Sequence, residues 1–197
     1  MELKDSKTRI NLMRAFAGEC QARTRYDIAA CVARKEGHEN IAKIFEYTAN
    51  QEMAHAKVFY DFLKGSNDQV IMLDTSYPVN NYDTTKDHLA AAKTNEYEEW
   101  EEVYSEFARV AEEEGFSAIA NAFRMISDVE KTHGDRFEKY LTDINNSSLY
   151  KEDKEIEWMC SNCGTIIKGD SAPQVCPICQ KNKGYFVKNT SNQVIFG

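Results

Sequence analysis

The 197-residue sequence has few residues that break helices and no long apolar run. It contains only three prolines, and the stretches 1–77 and 79–172 contain none, so both are free to be helical. A membrane-spanning helix needs about 18 or more consecutive apolar residues, and the sequence has no such run. The N-terminal residues lack the apolar core of a secretory signal. We therefore expect a cytoplasmic protein.

Positive charge is also scarce. The 24 Lys and Arg residues face 32 Asp and Glu residues, and the formal net charge of −8 opposes binding to nucleic acid. The sequence has no G-x-G-x-x-G or other nucleotide-binding fingerprint. Its 42% hydrophobic and 28% charged residues are ordinary for a globular protein and exclude wholesale disorder. The length allows one full core and at most one small additional domain.

Cysteine is concentrated near the C-terminal end. Four of the six cysteines form two C-x-x-C pairs separated by 12 residues: Cys160, Cys163, Cys176 and Cys179. Paired thiols in a reducing compartment are typical of metal ligands, and four thiolates can surround either zinc or a single iron. The spacing alone favours a zinc ribbon. We expect the other two cysteines, Cys20 and Cys31, to be buried free thiols.

The apolar residues between 5 and 142 recur at spacings of three and four, as one face of a helix requires. This periodicity predicts four helices, listed here by approximate range: 5–35, 39–64, 85–114 and 117–142. Gly37 and Gly115 are placed to end the helices that precede them. Turn-forming residues then interrupt the pattern. We predict a bundle domain over 1–145, a linker over 146–153 and a four-cysteine domain over 154–197.

The helical region contains an internal repeat. The stripe Ile41, Phe45, Thr48, Glu52, His55, Phe59 and Phe62 recurs 78 positions later as Ile119, Phe123, Ile126, Glu130, His133, Phe137 and Tyr140. A looser copy relates the other two helices at an offset of 77, with Glu19 matching Glu96. The pattern predicts a duplicated helical hairpin. The change of offset implies one extra residue between Glu96 and Gly115, which a π-bulge would accommodate.

The polar segment 65–84 is too long for a simple turn between helices. Its 20 residues can span up to roughly 66 Å, whereas a 26-residue helix is about 39 Å long. We therefore predict a crossover that travels the length of the bundle. We also expect it to make the second hairpin repeat the direction of the first.

Acidic residues and histidines occupy positions on the apolar stripes: Glu19, Glu52, Glu96, Glu99, Glu130, His55 and His133. Turning them to solvent would expose the phenylalanines of the same stripes, so we expect them to be buried. Burying a lone carboxylate costs several kcal/mol, and the stripes offer no cation except the poorly placed Lys93. Two divalent ions would bring the five carboxylates from −5 to −1, and two trivalent ions to +1. The pattern thus predicts a dinuclear metal site.

Two Glu-x-x-His motifs strengthen this prediction. They are Glu52-x-x-His55 and Glu130-x-x-His133, and the spacing puts both side chains of each motif on one helix face. Two such motifs with a glutamate from each remaining helix form the ligand set of di-iron or di-manganese carboxylate bundles. Glu99 has no repeat partner, because its counterpart is Ala22. This additional ligand suggests that one metal can choose between donors.

The sequence resembles the rubrerythrin family. The matching stretches are AFAGECQARTRY, Glu52-Met53-Ala54-His55, Glu96-x-x-Glu99, EFARVAEEEGF and Glu130-x-x-His133, and the terminal thiol pairs match the rubredoxin-like domain of that family. The resemblance covers nearly the whole chain. It implies a ferritin-like four-helix bundle with a long crossover, followed by a small rubredoxin-like four-cysteine β domain.

The resemblance also implies which residues bind two irons in the bundle. Glu52 and Glu130 would bridge the irons. Glu19 would bind the first iron, whereas Glu96 and His133 would bind the second.

Four further residues receive candidate catalytic roles from the same resemblance. Glu99 and His55 would be alternative ligands of the first iron, exchanged when its redox state changes. Tyr26 and Tyr104 match tyrosines that donate hydrogen bonds to the carboxylates of the cluster. Packing in the aromatic core explains the two tyrosines equally well from the sequence alone.

Aromatic residues near the terminal thiols favour iron over zinc in the C-terminal domain. Trp158, Tyr185 and Phe186 can form the small core of a rubredoxin, and a one-electron carrier is useful beside a di-iron site. One departure concerns the position after each thiol pair, which is normally glycine: Gly164 follows the first pair, but Gln180 follows the second. If this position needs a positive φ, Gln180 is strained, and the N–H···S geometry there is in doubt.

These features predict a non-haem di-iron peroxidase that protects against oxidative stress. Reducing hydrogen peroxide to water takes two electrons, which a di-iron(II) pair can provide and the four-thiolate iron can restore one at a time. Without a nucleotide-binding motif, electrons from NAD(P)H must arrive through rubredoxin or a separate reductase. The resemblance implies a homodimer in which electrons pass between subunits.

Two alternative functions stay open. A ferritin-like iron-storage protein explains the carboxylates but leaves the four-cysteine domain and Glu99 without a role. A zinc-ribbon interaction protein explains only about the last 45 residues. The colour of the protein separates these functions: a red ferric site bleached by reductant and restored by peroxide supports the enzyme, whereas a colourless zinc protein supports the ribbon.

Overall fold

The computed structural model describes residues 1–189, which form a helical bundle followed by a small β domain. The main helices are α1 (Lys7–Lys35), α2 (Glu39–Phe62), α3 (Thr85–Glu98), α4 (Tyr104–Glu113) and α5 (Ser117–Asn145), and a π-helical turn (Glu99–Val103) joins α3 to α4. Short 3₁₀ turns span Leu3–Asp5, Lys64–Ser66 and Lys183–Tyr185. Because α3, the π turn and α4 are continuous, the predicted four-helix bundle is confirmed. No helix in the described part of the chain is long and apolar enough to cross a lipid bilayer.

The helix ends follow local signals in the sequence. Ser6 precedes α1 and Thr84 precedes α3, and each side chain accepts a hydrogen bond from the backbone N–H three residues later. Such caps satisfy N–H groups that the first helical turn leaves without partners. Gly37 and Gly115 have φ values of 81° and 87° and end the first helix of each hairpin, as predicted.

The apolar core of the bundle has two parts, with a polar layer between them. Phe45 and Phe137 stack with ring centroids 5.1 Å apart in the part near the α1–α2 turn. Phe59 and Phe123 stack at 4.9 Å in the part at the opposite end. Burying each such side chain contributes about 1.5–3 kcal/mol, which offsets the cost of the buried acidic layer between them.

The crossover runs along α1 from its beginning to its end. Successive contacts pair Arg9 with Gln69 (2.6 Å), Arg14 with the carbonyl oxygen of Asp74 (3.0 Å), Arg25 with Asn80, and Glu36 with the backbone N–H of Thr85 (2.6 Å). The segment therefore travels the length of the bundle, as its length predicted.

The predicted direction of the second hairpin is wrong. The backbone N–H of Thr8, near the start of α1, lies 2.8 Å from Glu114, beyond the end of α4, whereas Tyr26 farther along α1 donates to Glu96 of α3. The third helix of the bundle is thus antiparallel to α1. The crossover delivers the chain to the far end of the bundle, so the next helix must run back.

The π-helical turn accounts for the change in repeat offset. Tyr26 donates a hydrogen bond to Glu96, and Tyr104 donates the equivalent bond to Glu19. The two glutamates are 77 positions apart, but the two tyrosines are 78 apart. The extra residue therefore lies between Glu96 and Tyr104, where the π turn occurs, and the predicted bulge is confirmed.

Up to residue 189, the β domain contains one antiparallel sheet in the order β2-β1-β3. Its strands are β1 (Lys151–Cys160), β2 (Ile166–Ser171) and β3 (Phe186–Lys188). Trp158 of β1 lies opposite Ile167 and Lys188 in the register, and its buried ring packs with Phe186. β1 begins inside the segment 146–153 that we predicted as a linker, and residues 190–197 of the predicted four-cysteine domain lie outside the described residues.

The β domain packs against the end of the bundle at the α1–α2 turn. A Cβ atom on Gly184 would lie only 1.8 Å from the carbonyl oxygen of Gly37, so the backbones approach too closely for any side chain there. Beside this contact, the Ser161 hydroxyl donates to Asn40 of α2 at 2.6 Å.

The prediction that the two remaining cysteines are buried is wrong. Cys20 and Cys31 are free thiols, but both are exposed on α1. Each follows a buried residue, Glu19 or Ala30, and a step of one residue turns a helix by about 100°. The position of each cysteine on the helix, rather than the low polarity of its side chain, determines its exposure.

Candidate metal centres

Six of the seven predicted bundle ligands form two overlapping groups. One group contains Glu19, Glu52, His55 and Glu130, and the other contains Glu52, Glu96, Glu130 and His133. Within each group, the potential ligand atoms all lie within 4.8 Å of one another. Glu52 and Glu130 belong to both groups, which is where bridging ligands must lie.

Both Glu-x-x-His motifs point into this polar layer. His55 Nδ1 lies 2.9 Å from a carboxylate oxygen of Glu130 and 3.1 Å from one of Glu52. His133 Nδ1 lies 2.8 Å from the other oxygen of Glu130 and 3.0 Å from Glu52. The two motifs thus converge from α2 and α5 on one centre.

The protonation state of each ionisable group in this layer depends strongly on the charges of its neighbours. Burial and the nearby carboxylates raise the pKa of Glu19 well above its usual range. Burial and the charge of Glu52 raise the pKa of Glu96 to about 8. Burial also disfavours ionised Glu52, but the positive charge of His133 and the hydrogen bond and charge of His55 outweigh this effect and lower its pKa to about 2. The carboxylates therefore need nearby positive charge, which protonated histidines supply here and metal ions can supply more fully.

Several buried atoms of the layer make no hydrogen bond of normal geometry, although some of them lie within 3.0 Å of a charged partner. They are Oε2 of Glu19, Oε1 of Glu52, Oε2 of Glu96, both carboxylate oxygens of Glu130, and Nδ1 of His133. Buried polar atoms without partners are costly and rare in folded proteins. These atoms belong to the residues of the two groups, and oxygen and imidazole donors suit iron or manganese. The residues present fit a pair of metal ions.

Tyr26 and Tyr104 are both buried beside the groups. The Tyr26 hydroxyl donates to Glu96, and the Tyr104 hydroxyl donates to Glu19. Each ring also packs in the aromatic core, with Tyr26 5.2 Å from Phe137 between ring centroids. The two roles considered for these tyrosines are thus compatible, because the ring packs while the hydroxyl fixes a carboxylate.

Glu99 lies outside both groups. It is half-buried at the start of the π turn, and burial and the charge of Glu96 raise its pKa well above the usual range. The four grouped glutamates carry −4 when ionised, which balances two divalent ions.

No pattern in the sequence predicted a second set of residues that supports His133. Gln51 Oε1 lies 3.1 Å from His133 Nε2 and accepts a hydrogen bond from Arg136 at 3.1 Å. Arg136 also donates to Thr48 at 2.8 Å. An Nε2–H group that donates to Gln51 leaves Nδ1 free to bind a metal. The repeat does not mark Gln51, because its counterpart is Val129.

The four cysteines of the β domain form a second candidate metal site. All four Sγ atoms lie within 4.8 Å of one another, with Cys160 and Cys179 3.6 Å apart and Cys163 and Cys176 also 3.6 Å apart. Cys160 and Cys176 are buried, whereas Cys163 is exposed. The cluster fits one tetrahedral metal ion with four thiolate ligands.

The position of Gln180 does adopt a positive φ, the condition under which we expected this residue to be strained. Its φ is 60°, close to the 76° of Gly164 after the first thiol pair. The concern about N–H···S geometry is not supported, because the backbone N–H of Lys181 reaches Cys179 and lowers the pKa of its thiol to about 6.

Replacing Gln180 with glycine should raise the free energy of unfolding of the β domain by about 0.5–1 kcal/mol. A non-glycine residue in this conformation costs about 1–2 kcal/mol, and the greater entropy of glycine in the unfolded chain offsets part of the gain. The matched change Gly164→Ala should lower the same quantity. Hydrogen exchange of the β1 amides measures both, and shifts of the same sign would contradict the strain argument.

The two regions of the sequence that contain these centres match known protein families. A sequence model of the rubrerythrin family matches residues 11–141, and a model of the rubredoxin-like domain of rubrerythrin matches residues 158–187. The chain belongs to the rubrerythrin family. The resemblance found in the motifs is thereby confirmed.

Rubrerythrins of known sequence match along almost their whole length. A rubrerythrin of Porphyromonas gingivalis is 43% identical, over 96% of this chain and 94% of its own. Rubrerythrin-1 of Clostridium acetobutylicum is 45% identical, over 93% of this chain and 95% of its own. The structure of fully reduced, all-ferrous nigerythrin is 31% identical with a TM-score of 0.63, and the match covers 93% of this chain and 90% of nigerythrin.

Membership of the rubrerythrin family supports the assignment of both centres. This rubrerythrin contains the glutamates and histidines of a di-iron carboxylate site and a rubredoxin-like four-cysteine site. Rubrerythrins are oxidoreductases, and this chain has the side chains for both kinds of metal centre.

Proposed function

We propose that this rubrerythrin reduces hydrogen peroxide to water with electrons relayed through its four-thiolate iron site, and so protects against oxidative stress. One observation carries the proposal: a single chain contains two overlapping Glu/His groups that fit a pair of metals and a four-cysteine cluster that fits one metal. A storage protein needs only the first kind of site, and a zinc ribbon only the second.

The assignment of ligands follows from the two groups. Glu52 and Glu130 would bridge, Glu19 and His55 would complete the first position, and Glu96 and His133 would complete the second. A di-iron pair held there supplies two electrons at one place, the number needed to split an O–O bond.

The two tyrosines act as positioning residues in this proposal. Tyr104 holds one oxygen of Glu19, and Tyr26 holds one oxygen of Glu96, so each terminal carboxylate keeps a free oxygen for the metal. Hydrogen bonds of this kind restrict the rotation of a ligand and tune its basicity. Glu99 lies outside the groups. It would replace His55 as a ligand of the first iron when oxidation increases the positive charge of the site.

The separation of the centres within one chain supports electron transfer between subunits of a homodimer. The β domain contacts α2 at Asn40, whereas Glu52 lies 12 residues farther along the same helix. The axial distance is about 18 Å, so a neighbouring subunit that brings its thiolate site closer would shorten the path. Rubredoxin or an NAD(P)H-dependent reductase would supply electrons from outside.

Stopped-flow mixing of the reduced, iron-loaded protein with hydrogen peroxide tests the proposed function. We expect fast consumption of one peroxide for every two electrons. Adding NADH and a rubredoxin reductase system should give repeated turnover. Peroxide loss no faster than with free ferrous iron, or uptake of many irons per chain, would instead support the storage function.

Replacing Glu99 with glutamine should leave two irons in the bundle but raise their reduction potential. A carboxylate stabilises the more highly charged oxidised state, and a loss of 1.4 kcal/mol corresponds to about 30 mV for a two-electron couple. We expect a rise on the order of tens of millivolts in a potentiometric titration. Glu101→Gln is the matched control, since Glu101 is exposed in the same π turn. Equal potentials in the two variants would exclude the exchange of Glu99 for His55.

A further inference from the structure

A cavity of about 520 Å³ lies between α1, the π turn and the crossover. Glu99 and Tyr104 line its inner end, where Tyr104 donates to the metal-site residue Glu19. Ala15 and Gly18 form part of its α1 wall. The cavity therefore leads from the surface to the edge of the candidate di-iron site.

The crossover forms the outer wall of the cavity through residues 75–78, which are exposed to solvent. This wall is fixed at both ends. The Tyr77 hydroxyl donates to the carbonyl oxygen of Arg14 at 3.0 Å, and Asn95 of α3 donates to Asn80 at 2.7 Å. Arg25 of α1 donates to the same oxygen of Asn80. Hydrogen bonds to α1 and α3 thus hold the outer wall in place.

The size of the cavity exceeds what hydrogen peroxide requires. Cavities of about 300–1,000 Å³ hold molecules of drug size, whereas hydrogen peroxide has two heavy atoms. Apolar side chains that include Ala15, Val103 and Phe107 contribute to the lining. Such a lining suits a substrate with a hydrocarbon group.

The charged groups around the cavity nearly balance. Glu98 and Glu102 are exposed carboxylates of the lining, whereas Glu106 is paired with Arg109 at 2.6 Å. Arg14 and Arg25 also line the cavity, and they keep their positive charge because they donate to neutral oxygen atoms of the crossover. A lining without a large net charge gives no strong attraction to a charged ligand, which favours a neutral one.

We propose that this cavity binds uncharged organic hydroperoxides that carry an aromatic or branched alkyl group, with the O–O bond toward Glu99. The inference rests on the proposed function for its chemistry. The O–O bond breaks, two electrons from the reduced site and two protons from solvent are consumed, and one alcohol and one water form. The hydroperoxide is reduced, and the metal site is oxidised by two electrons.

Binding of the product alcohol tests the cavity without any turnover. We would measure binding of 2-phenylpropan-2-ol, the alcohol formed from cumene hydroperoxide, to the full-length zinc-loaded protein by saturation-transfer NMR. Ser76→Trp should fill the cavity from its exposed outer wall and weaken binding at least about tenfold. Val79→Trp is the matched control, because Val79 is 88% exposed in the same segment and does not line the cavity.

A second variant covers the case in which the new tryptophan turns to solvent. A Cβ on Gly18 would lie 3.8 Å from the Tyr77 ring, an ordinary contact distance. Gly18→Leu therefore extends a side chain between α1 and the outer wall and should also weaken binding. Absence of alcohol binding in the parent, or equal binding in the parent and both filled variants, would overturn the proposal.

Kinetics of the iron-loaded protein separate this inference from the proposed function. The ratio of kcat/KM for cumene hydroperoxide to that for hydrogen peroxide should fall at least about tenfold in Ser76→Trp and stay unchanged in Val79→Trp. Reduction of hydrogen peroxide with no reduction of cumene hydroperoxide would overturn the inference alone. Alcohol binding that the filled variants abolish, without reduction of either peroxide, would support the cavity and refute the proposed function.

Discussion

Replacing Glu130 with alanine should remove both metals from the bundle, whereas replacing Glu19 with alanine should remove only one. Glu130 offers an oxygen to each of the two ligand groups, but Glu19 belongs to one group. The four-cysteine site serves as an internal standard, because its ligands lie in the β domain. We therefore expect total iron to fall from about three per chain to about one in the first variant and about two in the second. Elemental analysis after anaerobic loading gives these values.

A folding control separates loss of a ligand from loss of the bundle. Glu130 is completely buried, and its two oxygens lie 2.9 Å from His55 Nδ1 and 2.8 Å from His133 Nδ1. Removing one member of such a buried charge cluster destabilises the metal-free protein, so helical circular dichroism must show that Glu130→Ala is folded before its iron content is compared. Asp128→Ala, an exposed change on the same helix, should retain all the iron. Equal iron loss from the Glu130 and Glu19 variants would show that Glu130 does not bridge.

The helices and the metal ligands could be predicted because one physical constraint fixed both. A stripe that carries Phe45 and Phe59 must face the core, and the helical period then carries Glu52 and His55 inward with them. Acidic residues forced into a core need positive charge. Periodicity and charge therefore identified the polar layer without any knowledge of the fold.

Other features depend on contacts between residues that no local pattern relates. The support of His133 by Gln51 and Arg136 breaks the repeat symmetry, so the repeat could not reveal it. The direction of the third helix is a different case, because a crossover that travels the length of the bundle already requires α3 to run antiparallel to α1, and the expected parallel direction was an error of inference. The cavity beside Glu99 depends on the path of the crossover, which Tyr77 and Asn80 fix through long-range hydrogen bonds.

The backbone at Gln180 shows another limit of prediction from the sequence. The sequence identified the position as unusual, since the corresponding residue after the first thiol pair is Gly164. It could not show whether the chain would abandon the positive φ or accept its cost. In the structure φ is 60°, and the N–H of Lys181 keeps its interaction with Cys179. The chain thus accepts a local strain of about 1–2 kcal/mol at this residue.

Replacing Cys160 with serine should abolish peroxide turnover that depends on an external donor, yet leave one turnover by a chemically reduced bundle site. Cys160 is one of four thiols within 4.8 Å of one another in the β domain, and none of the bundle ligands lies in that domain. A serine hydroxyl is a poor replacement for a thiolate ligand. The red absorbance expected of a ferric four-thiolate site should disappear with it, which a visible spectrum shows directly.

The structural effect of this change should stay within the β domain. Cys160 is completely buried against Trp158 and Phe186, so an unpaired hydroxyl there costs about 1–3 kcal/mol. The bundle has its own two-part apolar core and should keep its helical circular dichroism and its two irons. Cys31→Ser, at an exposed thiol of α1, controls for loss of a thiol alone. If Cys160→Ser also loses the single turnover while the bundle remains folded and loaded with iron, peroxide reduction does not take place in the bundle independently of the four-cysteine site.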